Sequence, residues 1–420
     1  MKQRGNSVRF LLTVALIAFT SIALSANGLN LNGSGSRAMG MAGAVISWTN
    51  DVSLFYFNPA GAANAKGTWI SLFETNLLPS GTYNAAAFGV DAKTNSKLYP
   101  AGALGFIKPL SDKLTIGLGI YTPSGTGASW DGDQLKNLPG VGKVYTWESF
   151  LGVVTISPLV AYKISDQLAV GATINLNYGM MDIKRPGVGQ YEESLTGTGF
   201  GATFGMQFTP SDKLAFGLSY KLPVNVTLKG DAKMASANLL GAATESEITR
   251  KTTLPMWLGA GVSFKPMDKL RLAFDVNWTN WKKLDEIPVE FSDATWTLLM
   301  GHPLYKGAFN QTLELDWKDC IQYRIGAEYM FCEQWAVRVG YMRDPSPAPL
   351  ETMNILLPQI PYNMFTFGVG YTGAKFSVNA ALEILRGQEQ TVPLAPTSKM
   401  PGVHNMNIMV PSITIAYHFN

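Results

Sequence analysis

The sequence predicts an all-β protein: a transmembrane antiparallel β-barrel of about fourteen strands with an N-terminal plug, or hatch. Three observations carry this. First, a short polar turn recurs at Ser111-Asp112-Lys113-Leu114, Ser165-Asp166-Gln167-Leu168, Ser211-Asp212-Lys213-Leu214 and Met267-Asp268-Lys269-Leu270, with a degenerate copy at Cys332-Glu333-Gln334-Trp335. The copies are spaced by one long hairpin plus a loop, within the range of internal repeats. Tight turns at one end and long loops at the other mark a transmembrane barrel. Second, the chain after each turn alternates. Third, it begins with a secretion signal and contains no later apolar run of about 18 residues that could span as a helix.

The elements follow in chain order. Lys2, Arg4 and Arg9 precede an apolar run from Phe10 to Phe19, then the small residues Ala23 and Ser25. That is a secretory signal over residues 1–25, too short and too quickly polar for a membrane anchor. Residues 26–66 are rich in Gly, Asn and Ala and carry no long alternating stretch. They form a separate segment that must pack somewhere, the expected plug. Residues 67–420 form the barrel, with strands expected near 68–77, 101–109, 114–122, 149–164, 168–181, 195–209, 213–228, 252–265, 269–282, 319–331, 334–342, 362–372, 375–385 and 408–419.

The alternation gives each strand two faces. After Lys269, Leu270, Leu272, Phe274, Val276 and Trp278 share one face, and Arg271, Ala273, Asp275, Asn277 and Thr279 the other. A soluble sandwich alternates too, with its apolar face inside. Two features favour the membrane. The polar faces are rich in Gly, Ala, Ser and Thr with charges mid-strand. The apolar faces often carry an aromatic near one end (Tyr178, Tyr220, Trp278, Tyr341, Tyr371, Tyr417), as in interfacial girdles.

Composition narrows the class. A net charge of +3 with no basic cluster gives no case for nucleic acid. Cys320 and Cys332 stand at opposite ends of one expected strand, about 40 Å apart at 3.3 Å per residue. A disulfide needs its Cα atoms within about 7 Å, so both are expected free. The histidines His302, His404 and His418 show no Ser-His pairing or metal-ligand spacing, and no phosphate-cradling loop is present. No enzyme, cofactor or metal is expected.

The loop segments 123–148, 182–194, 229–251, 283–318, 343–361 and 386–407 are expected on the extracellular side. Several are unusually apolar, notably around Leu239 and Leu240, and around Trp296, Leu298, Leu299 and Met300. Apolar loops facing water need a reason. They either pack on each other as a lid or capture a hydrophobic ligand.

These residues also resemble a known family. Gly28-Leu29-Asn30-Leu31 runs through Gly33-Ser34-Gly35-Ser36-Arg37-Ala38-Met39-Gly40-Met41-Ala42-Gly43 to Asp51 and Asn58-Pro59-Ala60-Gly61. This is similar to the plug of the FadL family of outer-membrane transporters for hydrophobic compounds. Further likenesses are Gly119-Ile120-Tyr121-Thr122-Pro123-Ser124-Gly125 with Trp130-Asp131-Gly132-Asp133, Leu228-Lys229-Gly230-Asp231-Ala232, Asp275-Val276-Asn277-Trp278-Thr279-Asn280-Trp281, and Val339-Gly340-Tyr341-Met342-Arg343-Asp344-Pro345-Ser346-Pro347. The likeness covers nearly all of the chain after the signal. It departs at the C-terminus, where Phe419 is followed by Asn420 rather than ending the chain.

The resemblance implies a plugged fourteen-stranded barrel in the outer membrane of a Gram-negative bacterium. It implies a monomer inserted by the barrel-assembly machinery. It also implies a path for long-chain fatty acids or hydrocarbons: capture among extracellular loops, transfer inside, then sideways release into membrane lipid through a gap beside a kinked third strand. The matching stretch here holds Gly117, Gly119, Pro123 and Gly125. Glycines enforce regular pairing poorly and proline removes a ladder donor, so a kink has a physical basis; glycines that relieve lumen crowding would read the same. Asn58 can bond its local backbone and Pro59 fixes φ, while Ala60 and Gly61 allow close packing. That turn is an anchor, a moving switch, or both. Arg271, Asp275, Arg324, Glu328 and Arg338 face the lumen. They are expected to form an ion-pair network holding wall and plug, or else Arg324 or Arg338 meets a ligand carboxylate. A general diffusion porin for polar solutes is the alternative, but it would lack a plug and carry a strongly charged constriction.

Overall fold

The computed structural model describes residues 28–305 and 309–419. The expected signal, residues 1–25, lies outside the described residues. Fourteen long strands close into one antiparallel barrel: β1 (Trp69–Ala85), β2 (Tyr99–Pro109), β3 (Leu114–Trp130), β4 (Trp147–Lys163), β5 (Leu168–Pro186), β6 (Gln190–Ser211), β7 (Leu214–Lys221), β8 (Trp257–Met267), β9 (Leu270–Thr279), β10 (Cys320–Met330), β11 (Trp335–Asp344), β12 (Tyr362–Thr372), β13 (Phe376–Gly387) and β14 (Gly402–His418). Each pairs with the next, and β14 returns to β1 from Trp69↔His418 to Asn84↔Val403. A closed sheet leaves no lipid-exposed edge with unpaired backbone groups, the condition for crossing a bilayer with strands. No helix among the described residues is long and apolar enough to cross a membrane.

The polar repeats make the tight turns. In the first, the backbone N–H groups of Lys113 and Leu114 donate to Ser111 Oγ, at 3.3 and 3.1 Å. Ser165 repeats this beneath β5 with Gln167 and Leu168. Alternation then sets the faces. Leu72, Ile116, Ile174, Phe200, Leu272 and Phe367 are exposed on the outside, while Ser71, Thr75, Thr115, Asn175, Asp275 and Arg324 are buried inside. Cys320 and Cys332 are free.

Several strands outlast their expected ends at the long-loop side. β3 runs on to Trp130 and β5 and β6 extend to Pro186 and Gln190, into stretches expected to be loop. Two expected strands, 213–228 and 252–265, are each broken. Pro223 and Pro255 interrupt them, and the ladder resumes above as a hairpin of Val224–Lys233 with Glu245–Leu254. Proline lacks the N–H the ladder needs. The upper hairpin leans onto β6, pairing Glu192↔Lys233 through Thr198↔Thr227.

Residues 28–66 lie inside the barrel. They form a short helix (Ser36–Met39) and two 3₁₀ turns (Val52–Phe55 and Pro59–Asn64), and nearly all are buried. Above them the loops build an apolar cap. Trp281 and Trp317 meet edge to face at 5.1 Å, and Trp296 and Phe309 at 5.5 Å. The cap also encloses an ion pair that the sequence reading did not single out. Arg250 Nη2 lies 2.8 Å from Glu193 Oε2, both side chains essentially unexposed, and it also donates to the carbonyl of Gln311 at 2.9 Å.

Candidate functional site

Three of the places that hold the interior segment involve residues singled out in the sequence. At the first, Asn58 caps the second 3₁₀ turn: its Oδ1 accepts from the Ala60 N–H at 3.1 Å. Its Nδ2 donates to the carbonyl of Ile46 at 2.7 Å and to the wall carbonyl of Met206 at 3.0 Å. Pro59 opens the turn with its φ already set. Gly61 lies so close to Thr49 that a Cβ there would sit 2.0 Å from its carbonyl oxygen. These four residues therefore form an anchored turn.

At the second, Asp275 of β9 is fully buried and its Oδ2 accepts the N–H groups of Val45 and Ile46, at 2.8 and 2.9 Å. At the third, Glu328 of β10 accepts Arg37 from the segment at 2.9 Å and Arg338 of β11 at 2.7 Å. The expected charge network is thus smaller and more directed than a wall-to-wall lattice. Arg271 stacks over Trp48 at 4.6 Å and donates to Ser263 at 3.0 Å. Arg324 donates to the carbonyl of Asn32 at 2.6 Å and to Gln322 at 3.0 Å; with the Asn277 amide turned so that its oxygen faces Nε, that oxygen accepts at 2.9 Å. Arg338 reaches Asn379 at 2.9 Å. Both arginines are engaged by protein acceptors. Tyr56, whose hydroxyl is pushed up to about 12 by burial, donates to the carbonyl of Leu31 and ties the two ends of the segment together.

The wall itself supplies saddles for the segment. Among the described residues, six pairs of glycines face each other across neighbouring strands, and four of them would place an added Cβ against the segment: Gly105↔Gly119, Gly171↔Gly205, Gly217↔Gly261 and Gly326↔Gly340; the other two, Gly125↔Gly152 and Gly179↔Gly197, would not. A Cβ at Gly119 would come within 2.5 Å of the Phe55 ring, and at Gly205 within 2.0 Å of Asn58 Oδ1. Gly217 lies against Ile46, and Gly326 and Gly340 against Met41, in the same way. Each pair removes two side chains at one spot, which leaves a notch about as wide as one inserted residue.

One place in the wall is discontinuous. β3 pairs with β2 from Pro109↔Thr115 to Ala103↔Tyr121 and no further. A bulge follows on its other edge: Tyr121 opposes Thr155, but Ser124 opposes Val153, so Thr122 and Pro123 share one partner residue. Such a bulge bends a strand and adds twist. β2 above Ala103 stays with β1, to Leu77↔Tyr99. The freed edge of β3 is taken by the N-terminal segment instead. Leu31 N donates to the Pro123 carbonyl at 3.1 Å, and Gly125 N to the Leu29 carbonyl at 2.9 Å. The wall closes again higher up, where Asn95 N donates to the Ser129 carbonyl at 2.8 Å. Pro123 and Gly125 therefore lie in the interruption. Gly117 and Gly119 do not: they are paired on both edges and make room for Phe55. The expectation of a break from Gly117 onward is corrected upward along the strand.

A cavity of about 180 Å³ lies behind this interruption, between Asn30–Gly33 of the segment and the wall. Leu77, Pro100, Thr122, Gly125 and Val153 line its wall side, and Tyr362, Glu383 and Leu385 its inner side. A smaller apolar pocket, with Leu29, Leu151, Met181, Val226 and Leu254, joins the region to the cap. Outside the cap, a mouth bounded by Phe88, Leu138, Val141, Leu313, Leu356 and Leu394 faces water.

The loop residues divide. Trp296 is fully buried, its Nε1 donating to the Ala243 carbonyl at 2.7 Å, and Leu299 is buried beside it. They are cap core and cannot meet an arriving ligand, which corrects their expected role. Leu239 and Leu298 are exposed, and Leu240 and Met300 half-buried. Among the described residues no group of His, Cys, Asp and Glu could hold a metal ion.

Residues 16–419 match the model of the outer membrane protein transport family (OMPP1/FadL/TodX), and the chain belongs to that family. It is accordingly an outer-membrane transport protein, not an enzyme. It is similar to the long-chain fatty acid transport protein of Escherichia coli K12, at 21% identity over 94% of this chain and 96% of that one. In structure it resembles a FadL homologue of Pseudomonas aeruginosa, with a TM-score of 0.79 at 16% identity, covering 94% of this chain and all of the other. It also resembles the toluene transporter TbuX of Ralstonia pickettii, with a TM-score of 0.72 at 19% identity over 93% of this chain and all of that one.

Proposed function

We propose that this protein carries hydrophobic small molecules, long-chain fatty acids or hydrocarbons, across the outer membrane and releases them sideways into its lipid. Exposed apolar residues of the loops, Leu239 and Leu298 among them, take up the molecule. It passes the cap by way of Leu29 and enters the cavity behind β2 and β3. When residues 28–31 withdraw from the edge of β3, the cavity opens through the wall at membrane height. Sideways exit spares an apolar molecule a passage through water, where its surface costs about 25 cal/mol per Å². One observation carries the reading: among the described residues, the backbone pairing with the β2-facing edge at Pro123–Gly125 comes from the N-terminal stretch Leu29–Leu31, not from the wall. The names of the relatives, a fatty acid transporter and a toluene transporter, agree with an apolar cargo. A diffusion porin is disfavoured because residues 28–66 fill the lumen.

A reversible crosslink tests it. Asn30 and Ser124 are bridge partners whose side chains meet at 3.2 Å, within the reach of a disulfide. In a Cys332→Ser background, Asn30→Cys with Ser124→Cys should abolish uptake of a hydrophobic ligand when oxidised and recover it on reduction. Full uptake by the oxidised protein would show that this edge never opens during transport.

A further inference from the structure

One cation inside the barrel faces no anion. Lys221 is the last residue of β7, and its side chain turns inward with those of Ala215 and Ser219. Among the described residues its ammonium makes no hydrogen bond and no ion pair, and the neighbouring charge is a second cation, Arg324. It lies instead between two aromatic faces, with Nζ 3.8 Å from the ring centre of Tyr56 and 4.7 Å from that of Trp257. A cation enclosed over aromatic faces is held by the ring quadrupoles, more firmly the less water reaches it. Trp257 stands opposite Lys221 in the ladder between β7 and β8, so that face belongs to the wall. Tyr56 belongs to the N-terminal segment. Its hydroxyl donates to the Leu31 carbonyl, and the Leu31 N–H donates to the Pro123 carbonyl at 3.1 Å. Leu31 is thus gripped from two sides, by the freed edge of β3 and by a ring that Lys221 clamps to β7. Phe57 and Tyr121 meet the same ring edge to face, at 4.7 and 6.3 Å, and the ammonium takes one of its faces. The tilt of that ring decides whether its hydroxyl reaches Leu31, because a hydrogen bond weakens steeply when misdirected.

We infer that Lys221 is a positioning residue for the release step: it holds the Tyr56 ring so that its hydroxyl latches Leu31 against β3, and it thereby sets how readily the edge at Pro123–Gly125 comes free. This rests on the transport reading above and deepens it, by assigning the closing force to a wall residue away from the interruption.

The test measures how often residues 28–31 leave that edge. Ser124 is 4% exposed and its hydroxyl meets Asn30. In a Cys332→Ser background, a Ser124→Cys thiol should therefore react with N-ethylmaleimide only while the edge is bare. The parent lacking the Ser124 change controls for Cys320, which is buried. The readout is the labelling rate of the full protein in lipid nanodiscs. Tyr56→Phe keeps the ring over Lys221 and deletes the hydroxyl, and should label about tenfold faster, equal to about 1.4 kcal/mol. Lys221→Met should label at least about fivefold faster, and Lys221→Arg, which restores a cation over the rings, within about twofold of the parent. Added to Tyr56→Phe, Lys221→Met should contribute less than about twofold, because the latch it positions is already gone; a lysine serving only as wall packing would contribute its full effect there. Lys221→Gln repeats the comparison where methionine blocks assembly. A parent labelling rate in either single variant, or full additivity of the two, would overturn the inference and leave the transport reading intact. No labelling in any folded protein, while boiled protein labels fully, would remove the transport reading along with it.

Discussion

Asp275→Ala should unseat the N-terminal segment while leaving the wall whole. The side chain is fully buried and accepts two backbone N–H groups of the segment, at 2.8 and 2.9 Å. Its own strand does not need it, since β9 is paired by backbone with Gly261 on one side and Arg324 on the other. Removing the acceptor orphans two buried donors. Each costs about 1–3 kcal/mol, so the seated state loses about 2–6 kcal/mol. At about 1.4 kcal/mol per tenfold, the low end alone shifts the seated-to-unseated ratio about 25-fold. Water entering the vacated space would return part of this, so Asp275→Asn, which keeps one acceptor oxygen, should show a distinctly smaller effect. The assay is single-channel conductance in planar bilayers, with barrel closure checked on an unheated gel. The alanine protein should open far more often or conduct more than wild type, with the asparagine protein between them. A closed barrel with wild-type conductance in Asp275→Ala would refute both the role of this carboxylate and the idea that the segment blocks the lumen.

Three further outcomes are expected. Unheated protein should migrate differently from boiled protein in detergent gels, because the closed ladder resists the detergent; identical mobility would contradict a stable barrel. Gly205→Val places atoms where Asn58 and Pro59 sit, so trypsin should cut folded barrels after Arg37, a site wild type protects through Glu328; an unaltered digest would show that the turn tolerates the intrusion. Leu239→Ser with Leu298→Ser should lower uptake of an apolar ligand severalfold without changing thermal stability, whereas Trp296→Ala should destabilise the cap by about 3–5 kcal/mol. A reversal of those two phenotypes, read by uptake and thermal melting, would restore Trp296 as the capture residue.

The barrel was legible because two strong signals coincide along its whole length. The Ser-Asp-Lys-Leu-type turns pin one end of most hairpins, and alternation then assigns both faces residue by residue, as at Leu270–Thr279. What escaped lies at the far ends of the strands. There the lipid no longer imposes apolar residues outside, so alternation fades, and β3 beyond Thr122 or β6 before Leu195 reads as loop. The breaks at Pro223 and Pro255 were visible as prolines. Their meaning was not, because the ladder resumes on their far side and leans onto a different neighbour. The buried Arg250–Glu193 pair was missed for a related reason: its partners come from segments 57 residues apart, and nothing local marks either as buried.

The site was half legible. Lumen charges were placed on the right face, but their partners were not, because Asp275 and Arg324 bond the backbone of the segment rather than each other. A backbone N–H has no sequence signature. The glycines are more instructive. Taken one strand at a time, Gly117 and Gly119 suggested a weak strand and a gap. Taken in register, a different pattern appears: Gly105 opposes Gly119, Gly171 opposes Gly205, Gly217 opposes Gly261, and Gly326 opposes Gly340. Paired absences of side chain at one spot are notches, and these four are filled, by Phe55, by Asn58-Pro59, by Ile46 and by Met41. Register can be estimated once the turns are fixed, since the tight turns leave little freedom in how neighbouring strands align. Counting up from the tight turns at Lys113 and Cys332 therefore brings Gly105 to Gly119 and Gly326 to Gly340. The wall of a filled barrel carries, at these four spots, a cast of what fills it, and the ladder between β2 and β3 stops short of Pro123 rather than where the glycines are densest.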